Sequence, residues 1–131
     1  MTRGEQVAAA AVAAVGVPYR LHGRDPATGL DCVGVVAVAL RSAGHRGPVP
    51  DGYPLRCGGA ERYRACWAGL EATAGAAAGD VLLCRAGPGQ LHLGIRTPRG
   101  VVHADAGLRR VVERPGALPW PLLAAWRLGE N

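Results

Sequence analysis

Apolar and polar positions divide the chain into two halves with different rhythms. Residues 3–15, R-G-E-Q-V-A-A-A-A-V-A-A-V, are alanine-rich, with Glu5 in the first turn and Gly16 placed to stop a helix. Pro18 then enforces an extended exit. The segment R-L-H-G-R-D-P-A-T-G-L reads as loop, punctuated by Gly23, Asp25-Pro26 and Gly29. From Cys32 to Leu40 no side chain is polar, so periodicity alone assigns nothing there. Val33, Val35, Val36 and Val38 favour a strand, but the continuation through Arg41 and Ser42 to Gly44 has the length of a buried helix. A helix is the reading adopted. G-H-R-G-P-V-P-D-G-Y-P is a second loop. Over residues 59–73, Ala60, Tyr63, Cys66, Trp67 and Leu70 fall at helical spacing, with Arg62, Arg64 and Glu71 outside that stripe. This predicts an amphipathic helix in which Cys66 is a small core residue.

After Gly75 the rhythm changes to short strand-like runs: D-V-L-L-C-R, L-H-L-G-I-R, G-V-V-H-A-D, L-R-R-V-V-E-R and L-L-A-A-W-R-L. Between them stand A-G-P-G-Q, T-P-R-G, A-G and P-G-A-L-P-W-P, which are turn chemistry. Helices followed by four or five antiparallel strands predict an α+β fold, with N-terminal helices packed on the sheet. Neither a linker nor an internal repeat interrupts the chain, so residues 1–131 are expected to form one domain.

Composition narrows the function classes. Apolar residues make up 49% and charged residues 19%, a globular balance. All fifteen basic residues are arginine, and the net charge of +5 permits attraction to polyanions. The arginines are spread from Arg3 to Arg127, however, and three Trp, three Tyr and no Phe make poor stacking platforms. No nucleic-acid partner is expected. Arg109 and Arg110, beside Val111 and Val112, read as a solvated strand edge. Cys32, Cys57, Cys66 and Cys84 form no C-x-x-C pair, and joining the last three with His22 or His45 around a metal would require distant loops to converge. Neither metal nor other cofactor is expected. The N-terminal apolar run is too short to span a bilayer and lacks the basic leader and cleavage pattern of an export signal. The expectation is a chain made in a reducing compartment, not exported by the general route and not inserted into a membrane.

The chemistry-bearing residues sit at the joints of this plan. Cys32 begins the apolar helix, where unpaired N–H groups favour a thiolate. A cysteine nucleophile also needs an imidazole to accept and return a proton. His92 and His103 flank T-P-R-G, and a hairpin turning at Thr97 to Gly100, with a small bulge, makes them near neighbours on one face. One would serve as base and the other would orient it. Asp105, two residues beyond His103 on the same face, is an alternative orienting group. Asp31 is placed to cap the helix.

Three segments, in order, resemble the NlpC/P60 family. P-Y-R-L-H-G-R-D-P-A-T-G-L-D-C-V-G is similar to its nucleophile segment, P-Y-x-W-G-G…D-C-S-G. G-D-V-L-L-C-R-A-G-P-G-Q-L-H-L-G-I is similar to its G-D-L-L-x-F…H-V-G-I strand pair, and V-V-H-A-D-A-G to its I-H-A segment. In detail, through the closing P-W-P-L-L-A-A-W-R-L, the chain looks most like short peptidases of phage tails and phage-like gene transfer agents. The resemblance implies a papain-like α+β fold and cleavage of peptidoglycan stem peptides, typically between D-γ-glutamate and a diamino acid. It implies Cys32 as nucleophile, His92 as general base and acid, and His103 as the group orienting His92. It further implies Tyr19 as an oxyanion donor and Asp31 as a contact for the stem peptide. The implied partners are proteins of a phage-like tail or baseplate, and the implied place of action is the cell wall, reached on a particle. Val33 stands where the family has serine, and Leu21-His22 where it has W-G; these departures bear on substrate preference. A structural tail component with weak or no activity, or an amidase or acyltransferase on the same scaffold, is the alternative reading.

Overall fold

The helix expected over 3–15 forms as α1, Arg3–Ala13, in the computed structural model, which describes residues 1–47 and 69–129. Thr2 opens it with a reciprocal box: its hydroxyl accepts the Glu5 N–H at 3.0 Å, and the Glu5 carboxylate accepts the Thr2 N–H at 3.0 Å. The helix stops earlier than expected, with Ala14 as its C-cap and Gly16 turning the chain at φ 96°.

The apolar run is a helix, α2, Cys32–Ser42. Its valines favour extended backbone, but three things override them. Asp31 caps the first turn, Gly44 ends the helix at φ 93°, and nearly every side chain from Cys32 to Leu40 is buried. A helix apolar all round belongs inside the protein, and α2 packs against both α1 and the sheet. The loop before it contains a small antiparallel ribbon, β1 (Arg24–Asp25) with β2 (Gly29–Leu30). Its tight turn is closed by the Asp25 carboxylate, which accepts the Ala27 N–H at 2.9 Å.

The second half forms β3 (Leu70–Ala72), β4 (Val81–Gly87), β5 (Gln90–Arg96), β6 (Gly100–Asp105), β7 (Arg110–Pro115) and β8 (Leu122–Leu128). They build one antiparallel sheet in the order β3-β8-β4-β5-β6-β7. The fold is α+β as expected; the described residues form two helices on a sheet of six strands rather than four or five. The sixth strand corrects the helix expected over 59–73: Leu70, Glu71 and Ala72 pair with Leu128, Arg127 and Trp126, so backbone pairing with β8 wins over helical spacing there. The rest of that expected helix, 59–68, with Tyr63, Cys66 and Trp67, lies outside the described residues, as do Cys57 and the second loop from residue 48 onward.

The sheet has apolar side chains on both faces. Val81, Leu83, Leu93 and Ile95 meet Val7, Val36 and Leu40 of the helices. Alternate positions, Leu82, Cys84, Val101 and Ala125, form a second cluster completed by Leu118 and Trp120. This period of two is what the strands require; each buried aliphatic side chain is worth about 1.5–3 kcal/mol. Asp80, fully buried at the head of β4, is satisfied by Arg127 at 2.9 and 3.2 Å and by donors from Thr73 and Ala77. Among the described residues no helix is long and apolar enough to cross a membrane.

Candidate active site

Cys32 occupies the first turn of α2, and the loop before it is locked to that turn through Asp31. The Asp31 carboxylate is 1% exposed and accepts the Gly34 N–H at 2.8 Å, the His22 N–H at 2.8 Å and the Arg24 guanidinium at 3.0 Å. It is the helix cap, and it also borders the cavity described below. The glycine of D-C-V-G has a steric cause: a Cβ at Gly34 would collide with the Gly23 carbonyl, so only glycine lets α2 sit this close to the loop. Val33 is 0% exposed and packs in the helix–sheet core. Its side chain is not part of the cavity lining.

The two histidines come from adjacent strands. The T-P-R-G turn closes with Thr97 and Gly100 exchanging backbone hydrogen bonds of 2.9 and 3.2 Å, and the β5–β6 ladder pairs Ile95 with Val102 and Arg96 with Val101. One step further, His103 comes alongside Gly94, where an added Cβ would lie 3.7 Å from the His103 Cβ. His92 Nε2 lies 3.0 Å from His103 Nδ1, with ring planes at 84°. Asp105 borders the same cavity, and its Oδ1 accepts the Leu108 N–H at 2.9 Å in the next turn.

Cys32, His92, His103, Tyr19 and Asp31 all border one cavity of about 580 Å³. The described residues show no hydrogen bond between the Cys32 sulfur and His92; the shared cavity wall is what joins them. Burial dominates the electrostatics. It pushes the Cys32 thiol up to about 12, with a smaller push from Asp31, while the N–H groups of Leu93, Val33 and Cys32 itself pull the other way. Burial therefore opposes the thiolate that the helix head favours. Burial, then the neighbouring His103, pulls His92 down to about 4. His103 is lowered as well, again chiefly by burial, against a raising effect of Asp105. Burial thus works against every charged form in the site, the thiolate and both imidazoliums alike.

Tyr19 is half-buried and its hydroxyl is kept protonated, first by burial and then by the nearby Cys32 and Asp31. Its backbone is strapped in place by its N–H to the Arg109 carbonyl at 2.9 Å. His22, at the cavity rim beside the exposed Leu21, has φ 64°. That left-handed backbone suits glycine, and the His22 N–H to Asp31 bond holds it in a histidine. Arg109, also at positive φ, sits in the turn before β7, and Arg110 opens β7, the terminal strand of the sheet; both are exposed, as expected of a solvated strand edge.

The sequence reading missed Trp120. Its ring stands edge-on to both imidazoles, with centroids 5.0 Å from His92 and 4.9 Å from His103. The signal was present as a lone aromatic between prolines, P-W-P, in a stretch read as turn. Among the described residues no three His, Cys, Asp or Glu side chains cluster as metal ligands.

The fold has solved counterparts. NlpC1 of Trichomonas vaginalis superposes with a TM-score of 0.66 at 21% identity, covering 97% of this chain and 44% of that one. NlpC2 of Trichomonas vaginalis gives 0.68 at 18% identity, covering 99% and 48%. The NlpC/p60 domain of the peptidoglycan hydrolase SagA gives 0.61 at 26% identity, covering 93% and 96%. The chain thus spans less than half the length of the two Trichomonas vaginalis proteins and nearly all of the SagA domain, and its fold is that of NlpC/P60 domains. No protein-family model matches the sequence, and no curated protein matches it.

Proposed function

We propose that the chain is a cysteine endopeptidase of NlpC/P60 type, hydrolysing peptidoglycan stem peptides at the bond between D-γ-glutamate and a diamino acid. The observation that carries this reading is the convergence of Cys32, at a helix head, with the hydrogen-bonded His92–His103 pair on one cavity wall. The fold shared with the domain of a peptidoglycan hydrolase supports the substrate class.

His92 Nε2 is engaged by His103, which leaves Nδ1 to serve the sulfur. As substrate closes the gap between them, Nδ1 takes the Cys32 proton while sulfur attacks the carbonyl carbon; such contacts commonly tighten only in the complex. The oxyanion is received by the Tyr19 hydroxyl and the Cys32 backbone N–H. The imidazolium then returns its proton to the leaving amine, giving a thioester. Water, deprotonated by His92, attacks the thioester carbonyl; the C–S bond breaks, the Cys32 sulfur takes back the proton from His92, and the acid is released. His103 holds the ring in the one orientation that serves both steps, and no metal or cofactor enters.

Purified protein incubated with peptidoglycan should release new amines, and Cys32→Ala should abolish this while keeping the circular dichroism of the parent. Undiminished release by that variant rejects the mechanism. The similarity of the closing segment to phage-tail and gene-transfer-agent peptidases supports a place in a tail or baseplate, from which the domain would reach the wall from outside. Purified particles should then contain the chain, and its confinement to the soluble cell fraction contradicts this placement.

A further inference from the structure

We propose that Trp120 is a positioning residue for the imidazole pair: its indole clamps His92 and His103 in their hydrogen-bonded geometry and shields them from water. This rests on the hydrolase reading of the same site. The three rings form a mutually edge-on trio, with centroid separations of 5.0, 5.0 and 4.9 Å and planes at 84°, 76° and 89°. Near-perpendicular rings at this spacing attract through their quadrupoles. Rotation of either imidazole would break its contact with the indole and the 3.0 Å bond between the histidines together.

The indole is itself held rigidly. Pro119 and Pro121 restrict the backbone on either side of it. The Pro121 carbonyl accepts the Arg85 N–H at 3.0 Å, anchoring the loop to β4. The β4–β8 register shifts between Leu83 and Cys84, and Cys84 is the cross-strand neighbour of His92 on β5. The irregularity that brings the P-W-P loop onto the sheet therefore lies one strand from the histidine it covers. Behind the indole stand Leu82, Cys84, Val101 and Ala125. Its other side borders the cavity, which simple core filling would not require.

Burial is the first cause of the lowered His92. Among the described residues, the following groups lie around this pair and its cavity. His103 and Asp105 come from β6, Cys84 from β4, Cys32 and Asp31 from the head of α2, and Tyr19 and His22 from the loop after α1. Arg114 of β7 acts on His103. His103 opposes a charge on His92 and Asp105 favours one, so admitting water where the indole lies moves His92 toward its ordinary value.

The test is the titration of the His92 and His103 imidazoles by NMR in the full chain, for the parent and for Trp120→Ala, Trp120→Phe and Trp120→Leu. Trp120→Ala should raise the His92 midpoint by about one pH unit or more, while Trp120→Phe, which keeps an aromatic edge, stays near the parent. A folded Trp120→Ala protein with the parent midpoint overturns the proposal. Should that variant not fold, the other two decide: the Leu side chain keeps apolar bulk without a ring, so its midpoint should exceed that of the Phe variant, and equal midpoints overturn the proposal. This readout uses no substrate and stands apart from whether peptidoglycan is cleaved. With an active enzyme, the acid limb of kcat/KM should move up in pH in Trp120→Ala and return in Trp120→Phe.

Discussion

His92 and His103 meet through one ring nitrogen each, Nε2 on the first and Nδ1 on the second, 3.0 Å apart. Between neutral rings one nitrogen must donate and the other accept, so this bond also sets the tautomers. If His92 is to present a bare Nδ1 to the sulfur, its proton sits on Nε2 and His103 Nδ1 accepts it. His103→Ala removes the acceptor and frees the ring to turn. A loss of about a hundredfold in kcat/KM is expected, mainly in kcat. His103→Asn, which keeps an acceptor oxygen near the same place, should recover part of it. Equal kinetics for the two variants would show that His103 contributes only packing.

Acid stability follows from His92. Its folded value is about 4 against an ordinary 6.5. Between those limits the unfolded chain binds a proton that the folded chain refuses, so stability is full above 6.5 and falls as pH drops toward 4. The loss from this one group amounts to about 3 kcal/mol at most. Urea midpoints measured at several pH values across the window should decline in the parent and decline less in His92→Gln. Parallel curves for the two proteins would contradict a buried neutral imidazole.

The resting thiol is a second consequence of burial. Cys32 has the helix-head position that favours a thiolate, yet burial sets it near 12 against an ordinary 9.0. In the absence of substrate, iodoacetamide should therefore alkylate Cys32 more slowly at pH 7 than it does a free cysteine. The thiolate absorbance at that pH should be the same in the parent and in Cys32→Ser. Because the unfolded thiol ionises first, stability is complete below 9.0 and declines as pH rises toward 12. Rapid labelling at neutral pH would mean a thiolate–imidazolium pair at rest.

What the sequence disclosed depended on whether the cause was local. The β4 to β8 strands and the Thr97–Gly100 turn were legible because alternation and turn residues are written in adjacent positions. So was the T-R-G-E capping box around Thr2, a signal overlooked in favour of the alanine run. α2 was ambiguous for the reason that it is buried: a helix enclosed on all sides shows no polar stripe. The edge strand Leu70–Ala72 owes its existence to backbone pairing with β8, to which side-chain spacing is blind. Motif order named Cys32, His92 and His103, but neither the burial of the thiol nor the indole over the imidazoles could be read, since both arise from what the fold stacks around those residues.

Asp31 offers a test of the cap apart from chemistry. It accepts from Gly34, His22 and Arg24 at once while 1% exposed. Asp31→Ala leaves three donors short of an acceptor and should cost about 2–3 kcal/mol, seen as a lower melting temperature. Asp31→Asn keeps one acceptor oxygen for the helix N–H and loses the ion pair to Arg24, so its melting temperature should fall between the two. Indistinguishable melting of Asn and Ala variants would mean that charge, and not the cap, is what Asp31 contributes.

Gly94 shows how narrow the tolerance between β5 and β6 is. A Cβ there would lie 2.7 Å from Val101 Cγ2, 3.1 Å from the Val102 carbonyl oxygen and 3.7 Å from His103 Cβ. Side chain and backbone of β6 must both give way to a methyl group, and β6 carries His103. Gly94→Ala should therefore lengthen the His92–His103 bond while the sheet persists, at about 1–3 kcal/mol of overpacking. If His103 orients His92 as proposed, a displacement of that kind costs about tenfold to a hundredfold in rate. Val101→Ala in the same chain removes the nearest clashing atom. The double variant should regain part of the activity lost in Gly94→Ala, although each change alone lowers stability. Kinetics and imidazole NMR on the single and double variants decide the matter: no recovery on shortening Val101 would place the strain at the Val102 carbonyl, and unaltered activity in Gly94→Ala would show that the histidine pair tolerates a shifted strand.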